Sequence, residues 1–127
     1  MVNMDFSSVV IDQMKERYTG ESNTIKPEME FLCHDITTGL PFEDESFDLI
    51  VCKGSFDAVL CSDGSVANIR RFVQESVRCL APGHGVFFVV THGNPDSRLV
   101  YLEHENDINF YWDGVSCHNL ERPKSGQ

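Results

Sequence analysis

The chain has 127 residues, 41% of them hydrophobic and 24% charged, which is enough for one core, too short for two, and too apolar for global disorder. Twenty acidic residues against ten basic ones give a formal charge of -10, so the average field repels a phosphate backbone and excludes nucleic acid as the main partner. Five cysteines (Cys33, Cys52, Cys61, Cys79, Cys117) form no C-x-x-C pair, and no stretch has the length of a signal sequence or a membrane span. These features predict reduced, buried thiols in an intracellular, cytoplasmic protein without a membrane partner. An acidic surface attracts basic segments or a lysine side chain, although most such charge is simply solvated.

Residues Val2 to Asp5 form a short extended start. Ser7 or Ser8 then offers a capping oxygen to a helix whose apolar positions Val9, Val10, Met14 and Tyr18 share one face, ended by Gly20 and the polar run to Pro27. Met29 to His34 reads as a strand, followed by a polar turn through Thr37, Thr38 and Gly39. The run Phe47 to Cys52 is nearly continuous in apolar residues after its aspartate, the pattern of a parallel strand covered on both faces. From Ser65 to Leu80 the apolar residues Val66, Ile69, Phe72, Val73, Val77 and Leu80 recur at three- and four-residue steps, which predicts a long amphipathic helix closed by Ala81, Pro82 and Gly83. A strand from Gly85 to Thr91 follows, then a short helix capped by Asn94 with Pro95 in its first turn and running toward Leu102. Phe110 to Cys117, rich in aromatic and β-branched residues around Asp113-Gly114, reads as a last strand or hairpin. Residues 121–127 read as a frayed tail. The alternation of strand and helix predicts an α/β fold with a parallel sheet.

In such a sheet the ligand sits outside the carboxyl ends of the strands. The polar residues at those ends are Asp5, then His34 and Asp35, then Cys52 and Lys53, then Thr91 and His92. A carboxylate at Asp5 can accept hydrogen bonds from both hydroxyls of a ribose or can cap the following helix. Asp35 can accept from an exocyclic amine such as that of adenine or can nucleate a turn. The adjacent pairs Cys33-His34 and Cys117-His118 lack the loop spacing of a compact zinc site, so no metal is expected. Neither Ser55 nor Ser65 sits in a G-x-S-x-G elbow, which argues against a hydrolase.

The series VNMDFSSVVIDQM, FLCHDIT, LPFEDESFDLIVCKGSFDAVL and VRCLAPGHGVFFVVTHG resembles class I S-adenosylmethionine-dependent methyltransferases over residues 2–118. Within them it is most similar to the methyltransferase-like group that includes protein-lysine methyltransferases of translation elongation factors. The resemblance implies a Rossmann-like sheet with helices on both faces, S-adenosylmethionine as cofactor and a protein lysine as methyl acceptor. It implies that Asp5 binds the ribose hydroxyls with Phe6 beside the adenine, that Asp35 and Ile36 frame the adenine's amine and ring edge, and that Cys52, Lys53 and Gly54 line the cofactor. Lys53 and Gly54 match a family signature of Asp-Lys-Gly followed by Ser or Thr, an apolar residue and Asp. Cys52 departs from it, putting a thiol where the signature carries a carboxylate. No residue is singled out as a base, since methyl transfer needs chiefly in-line placement of the nucleophile.

The family cradles the methionine part of its cofactor with a glycine-rich turn after a first strand. The only G-x-G here is Gly83-His84-Gly85, between a helix and a strand, the wrong order for that loop. Residues 1–120 therefore read as a partial methyltransferase domain lacking the first strand, which in the usual order lies between the strands starting near Val2 and near Phe47. Two apolar strand edges would then be open to self-association. The alternative is an inactive fragment or pseudoenzyme acting as a protein-interaction module.

Overall fold

A computed structural model describes residues 1–19, 28–102, 112–121 and 123–124. In chain order the elements are β1 (Val2–Asp5), α1 (Ser8–Thr19), β2 (Glu30–Cys33), a 3-10 turn (Ile36–Thr38), β3 (Leu49–Lys53), α2 (Ser55–Leu60), α3 (Ser65–Cys79), β4 (Val86–Val90) and α4 (Pro95–Leu102). The fold is α/β, and every strand pairing is parallel, β1 with β2 and β3 with β4. The strands form two separate two-stranded sheets, and among the described residues no strand joins β1 to β3.

The long helix α3 organises the core. Its inward face sets Ile69, Phe72, Val73 and Cys79 against Cys52 of β3 and Phe56 and Val59 of α2, with Ile50, Phe87 and Val89 packed alongside. Phe72 meets Phe87 edge-on at 5.8 Å, an arrangement that aromatic quadrupoles favour. Arg78 in the last turn of α3 ties the connection between the two sheets to this core. Its guanidinium donates to Leu40 O at 3.0 Å, Phe42 O at 2.7 Å and both carboxylate oxygens of Glu75, while Glu75 Oε2 accepts from Leu40 N at 2.8 Å. The Arg78 hydrogen bonds, with the Leu40 amide, hold the Glu75 carboxyl below its ordinary range, as expected when the charged form is the one bonded.

Several sequence expectations change. The inward position of α1 is Ile11, at 2% exposure, whereas Val9 is 63% exposed and Val10 38%; Tyr18 stacks on Phe31 of β2. The helical face that meets β2 thus runs through Ile11, Met14 and Tyr18, rotated from the Val9–Val10 stripe. The apolar run of β3 is buried on one face only. Ile50 and Cys52 point to the core, while Leu49 and Val51, with Val86 and Phe88 beside them on β4, are exposed. The stretch read as a last strand or hairpin forms no strand over residues 112–117, and Phe110 and Tyr111 lie outside the described residues. Trp112 instead stacks on Phe87 at 5.9 Å, so one aromatic anchor replaces a strand ladder. The helix end expected at Gly20 also lies outside the described residues. Only Cys52 and Cys79 are buried, while Cys33, Cys61 and Cys117 are exposed free thiols at element ends or in the C-terminal segment. Among the described residues no helix is long and apolar enough to cross a membrane.

Candidate functional site

Each of the first three strands ends in a tight change of direction that brings a polar side chain to the same side of the molecule. At the end of β1, Asp5 Oδ1 accepts from Ser7 N at 2.8 Å, and Ser7 itself caps α1 by accepting from Val10 N at 3.3 Å. The helix cap is therefore Ser7, and Asp5 Oδ2 has no partner among the described residues. At the end of β2, Asp35 Oδ1 accepts from both the amide (2.9 Å) and the hydroxyl (2.7 Å) of Thr37, forming the turn that starts the 3-10 segment. These two bonds, first the amide and then the hydroxyl, lower the Asp35 carboxyl below its ordinary value and keep it anionic at neutral pH. Its Oδ2 is likewise unpartnered among the described residues.

After β3 the chain reverses at Gly54, whose φ of 80° is left-handed and disfavours any residue with a Cβ. Its N–H donates to Val90 O at 3.2 Å, pinning the turn to the end of β4. Helix α2 starts at once. With six residues it has too few apolar positions for a recognisable period, and the sequence analysis assigns no element between Cys52 and Ser65.

These ends border one cavity of about 580 Å³, lined by Met4, Asp5, Phe6, His34, Asp35 and Ile36 on one side and by Lys53, Gly54, Ala58 and Val59 on the other. Of the seven residues singled out from the sequence, six line it: Asp5, Phe6, Asp35, Ile36, Lys53 and Gly54. Cys52 does not, because β3 alternation turns its side chain into the core. Burial pushes its thiol up to about 11, so it is a neutral packing group there. Sequence reasoning missed the wall formed by Ser62, Asp63 and Asn68; its signal was only a Ser-Asp-Gly turn before α3.

The volume lies in the range of small-molecule pockets, Asp5 and Asp35 each keep one carboxyl oxygen without a partner among the described residues, Phe6 is 78% exposed, and Ile36 adds an apolar lining. Beside Gly54, a Cβ would meet nothing within 4 Å, so the backbone there lies open to a ligand.

Residues 1–89 match the family described as Methyltransferase domain. Over 85 residues the chain is 40% identical to the eEF1A lysine and N-terminal methyltransferase of Mus musculus, a match covering 65% of this chain and 12% of that protein. It is 29% identical over 121 residues to the Drosophila pseudoobscura pseudoobscura homolog, covering 94% of this chain and 16% of the relative. It is also similar to the mitochondrial citrate synthase-lysine N-methyltransferase of Danio rerio, at 32% identity over 108 residues, or 80% of this chain and 41% of the other. Among solved structures, a SAM-dependent methyltransferase from Methanosarcina mazei superposes with a TM-score of 0.57 at 24% identity, over 79% of this chain and 45% of that one. This last likeness concerns the fold.

Proposed function

Because the chain belongs to the methyltransferase domain family, we propose that its cavity holds S-adenosylmethionine and that the protein of which it forms part or all methylates a protein lysine. The observation that carries this reading is the convergence of Asp5, Asp35 and Lys53, from three strand ends, on one cavity. When bound, the cofactor supplies an electrophilic methyl group on a sulfonium. The chain's own residues bind and orient. Asp5 accepts from the ribose hydroxyls, Phe6 covers the base, Asp35 takes the adenine amine, and the Lys53–Gly54 turn gives an open backbone edge. A lysine acceptor is supported by the relatives, which are lysine methyltransferases by name, and by the acidic surface, with Asp63 on the cavity wall, which favours an approaching ammonium.

Asp5→Ala is expected to weaken binding of S-adenosylhomocysteine by about 1.5 to 3 kcal/mol, the range for hydrogen bonds involving a charged group, with Asp5→Asn falling between it and the unchanged chain. Calorimetric titration reads this directly, and equal affinity in all three removes Asp5 from the site.

The exposed apolar residues Leu49, Val51, Val86 and Phe88 favour a second reading, in which the chain acts as an interaction module whose open sheet is covered by another copy. Patches of this kind on soluble proteins mark interaction surfaces. In the same titration, absence of binding together with concentration-dependent association in sedimentation supports that reading over the first.

A further inference from the structure

Behind the cavity, on the side of β4, lies a polar cluster that the cofactor reading leaves unused. Asp57, in the first turn of α2, accepts at Oδ1 from the Thr91 hydroxyl and from Arg98 Nε (3.2 Å) and Nη2 (3.0 Å). Its Oδ2 accepts from His92 N at 3.0 Å. Arg98 Nε also donates to Thr91 Oγ1 at 2.9 Å. The pair is largely shielded, with side-chain exposures of 18% for Asp57 and 23% for Arg98, so the contacts are worth more than an exposed ion pair. Gly93 leaves room for the guanidinium, since a Cβ there would collide with it. Burial alone raises the Asp57 carboxyl, but the Thr91, His92 and Arg98 donors outweigh it and leave it below the ordinary value.

One carboxylate thus joins three places: the helix that continues directly from the Lys53–Ser55 turn, the loop leaving β4, and α4. The turn lines the cavity, whereas Asp57, Thr91, His92 and Arg98 do not. Asp57 therefore touches no ligand there, and any effect on binding is transmitted through position.

We propose that Asp57 is a positioning residue that clamps the cavity-lining Lys53–Ser55 turn to the Thr91–Asn94 loop and to α4, so that filling the cavity and ordering the loop are coupled. The proposal rests on the cavity being the cofactor site. By linkage, a ligand that steadies the turn steadies α4 as well, and loosening α4 weakens the ligand by the same factor. The loop leaves the carboxyl end of β4, where a parallel sheet offers its crevice, so the coupling ties the cavity-lining turn to that end of the second sheet.

The test uses Asp57→Asn and Arg98→Met, with Arg98→Lys as the milder variant should either lose its fold. Amide hydrogen exchange at Gly54 and Ser55 is measured without ligand, and S-adenosylhomocysteine affinity by calorimetry. Both variants are expected to speed exchange at the turn about tenfold, as loss of a charge-assisted hydrogen bond implies, and to raise the Kd about fivefold or more. In the unchanged chain, ligand is expected to slow exchange in α4, a response the variants lose. Unaltered exchange at the turn, or faster exchange with unaltered affinity, overturns the clamp and leaves Asp57 as a staple for α4. If the unchanged chain binds no ligand while the turn is still loosened by Arg98→Met, the cofactor reading fails and the mechanical link survives.

Discussion

Phe56→Ala is expected to destabilise the chain by about 3 to 5 kcal/mol, the range for removing a fully buried phenylalanine. Phe56 has 0% exposure, lies in the core with Cys52, Val59, Ile69 and Val73, and meets Tyr101 of α4 edge-on at 6.3 Å. Its position leaves the surroundings little freedom to collapse into the space. The residue sits between the Gly54 reversal below it and the Asp57 contacts above it, and both hold the backbone where it is. Urea unfolding followed by circular dichroism should show a lower midpoint with an unchanged slope, the mark of lost stability without a change in exposed area. Phe56→Leu should recover more than half of the loss. A cost below about 1 kcal/mol, far under the usual range for such sites, would show that α2 is not packed as described.

The second large effect concerns Gly83-His84-Gly85, the pair of glycines that the sequence reading set aside as a cofactor loop. Gly85→Ala is expected to cost about 3 kcal/mol, the upper part of the range for overpacking, because a Cβ there would lie 2.6 Å from Ala81 O and 2.9 Å from Leu80 Cβ. The first of these is backbone and cannot rotate away. Gly85 N also donates to Ala81 O at 2.9 Å, and Ala81 N donates to Phe47 O, so a shift would spread into the start of both β3 and β4. Gly83 differs: its φ of 84° is left-handed, yet a Cβ would meet nothing within 4 Å. Gly83→Ala should therefore cost only about 1 kcal/mol, the backbone penalty alone. Thermal unfolding of the two variants should rank Gly85→Ala well below Gly83→Ala, and the reverse order would contradict the account of this turn.

What could be read from the sequence follows the range of the forces involved. Helix α3 was legible because its core positions recur within the helix, and α4 because Asn94 caps it through Ser97 N at 2.9 Å, a contact three residues long. Strands β3 and β4 were legible as apolar runs. That the strands fall into two pairs, with β1 and β3 unjoined among the described residues, is a matter of long-range pairing that no local run records. Less legible were features that depend on partners far along the chain. Arg78 reaches Leu40 and Phe42, and Asp57 reaches Thr91 and Arg98, and neither span leaves a local pattern. The rotation of α1 toward Ile11 follows from where β2 lies, which its own sequence does not record. Cys52 shows the same limit within one strand: its place at the signature's acidic position implied the cavity, and strand alternation sends it to the core. Asp5 and Asp35 had two candidate roles each. The structure gives Oδ1 of each to a turn and places both residues in the cavity lining.

The most direct test is a nuclear magnetic resonance titration of the isotopically labelled chain with S-adenosylhomocysteine. A shared site predicts that the amides of Asp5 and Phe6, of Asp35 to Thr37, and of Lys53 to Ser55 shift together along one saturating curve, with α1 residues far from the cavity unmoved. Saturation of one of these groups without the other two, or no response at any of them, would contradict it.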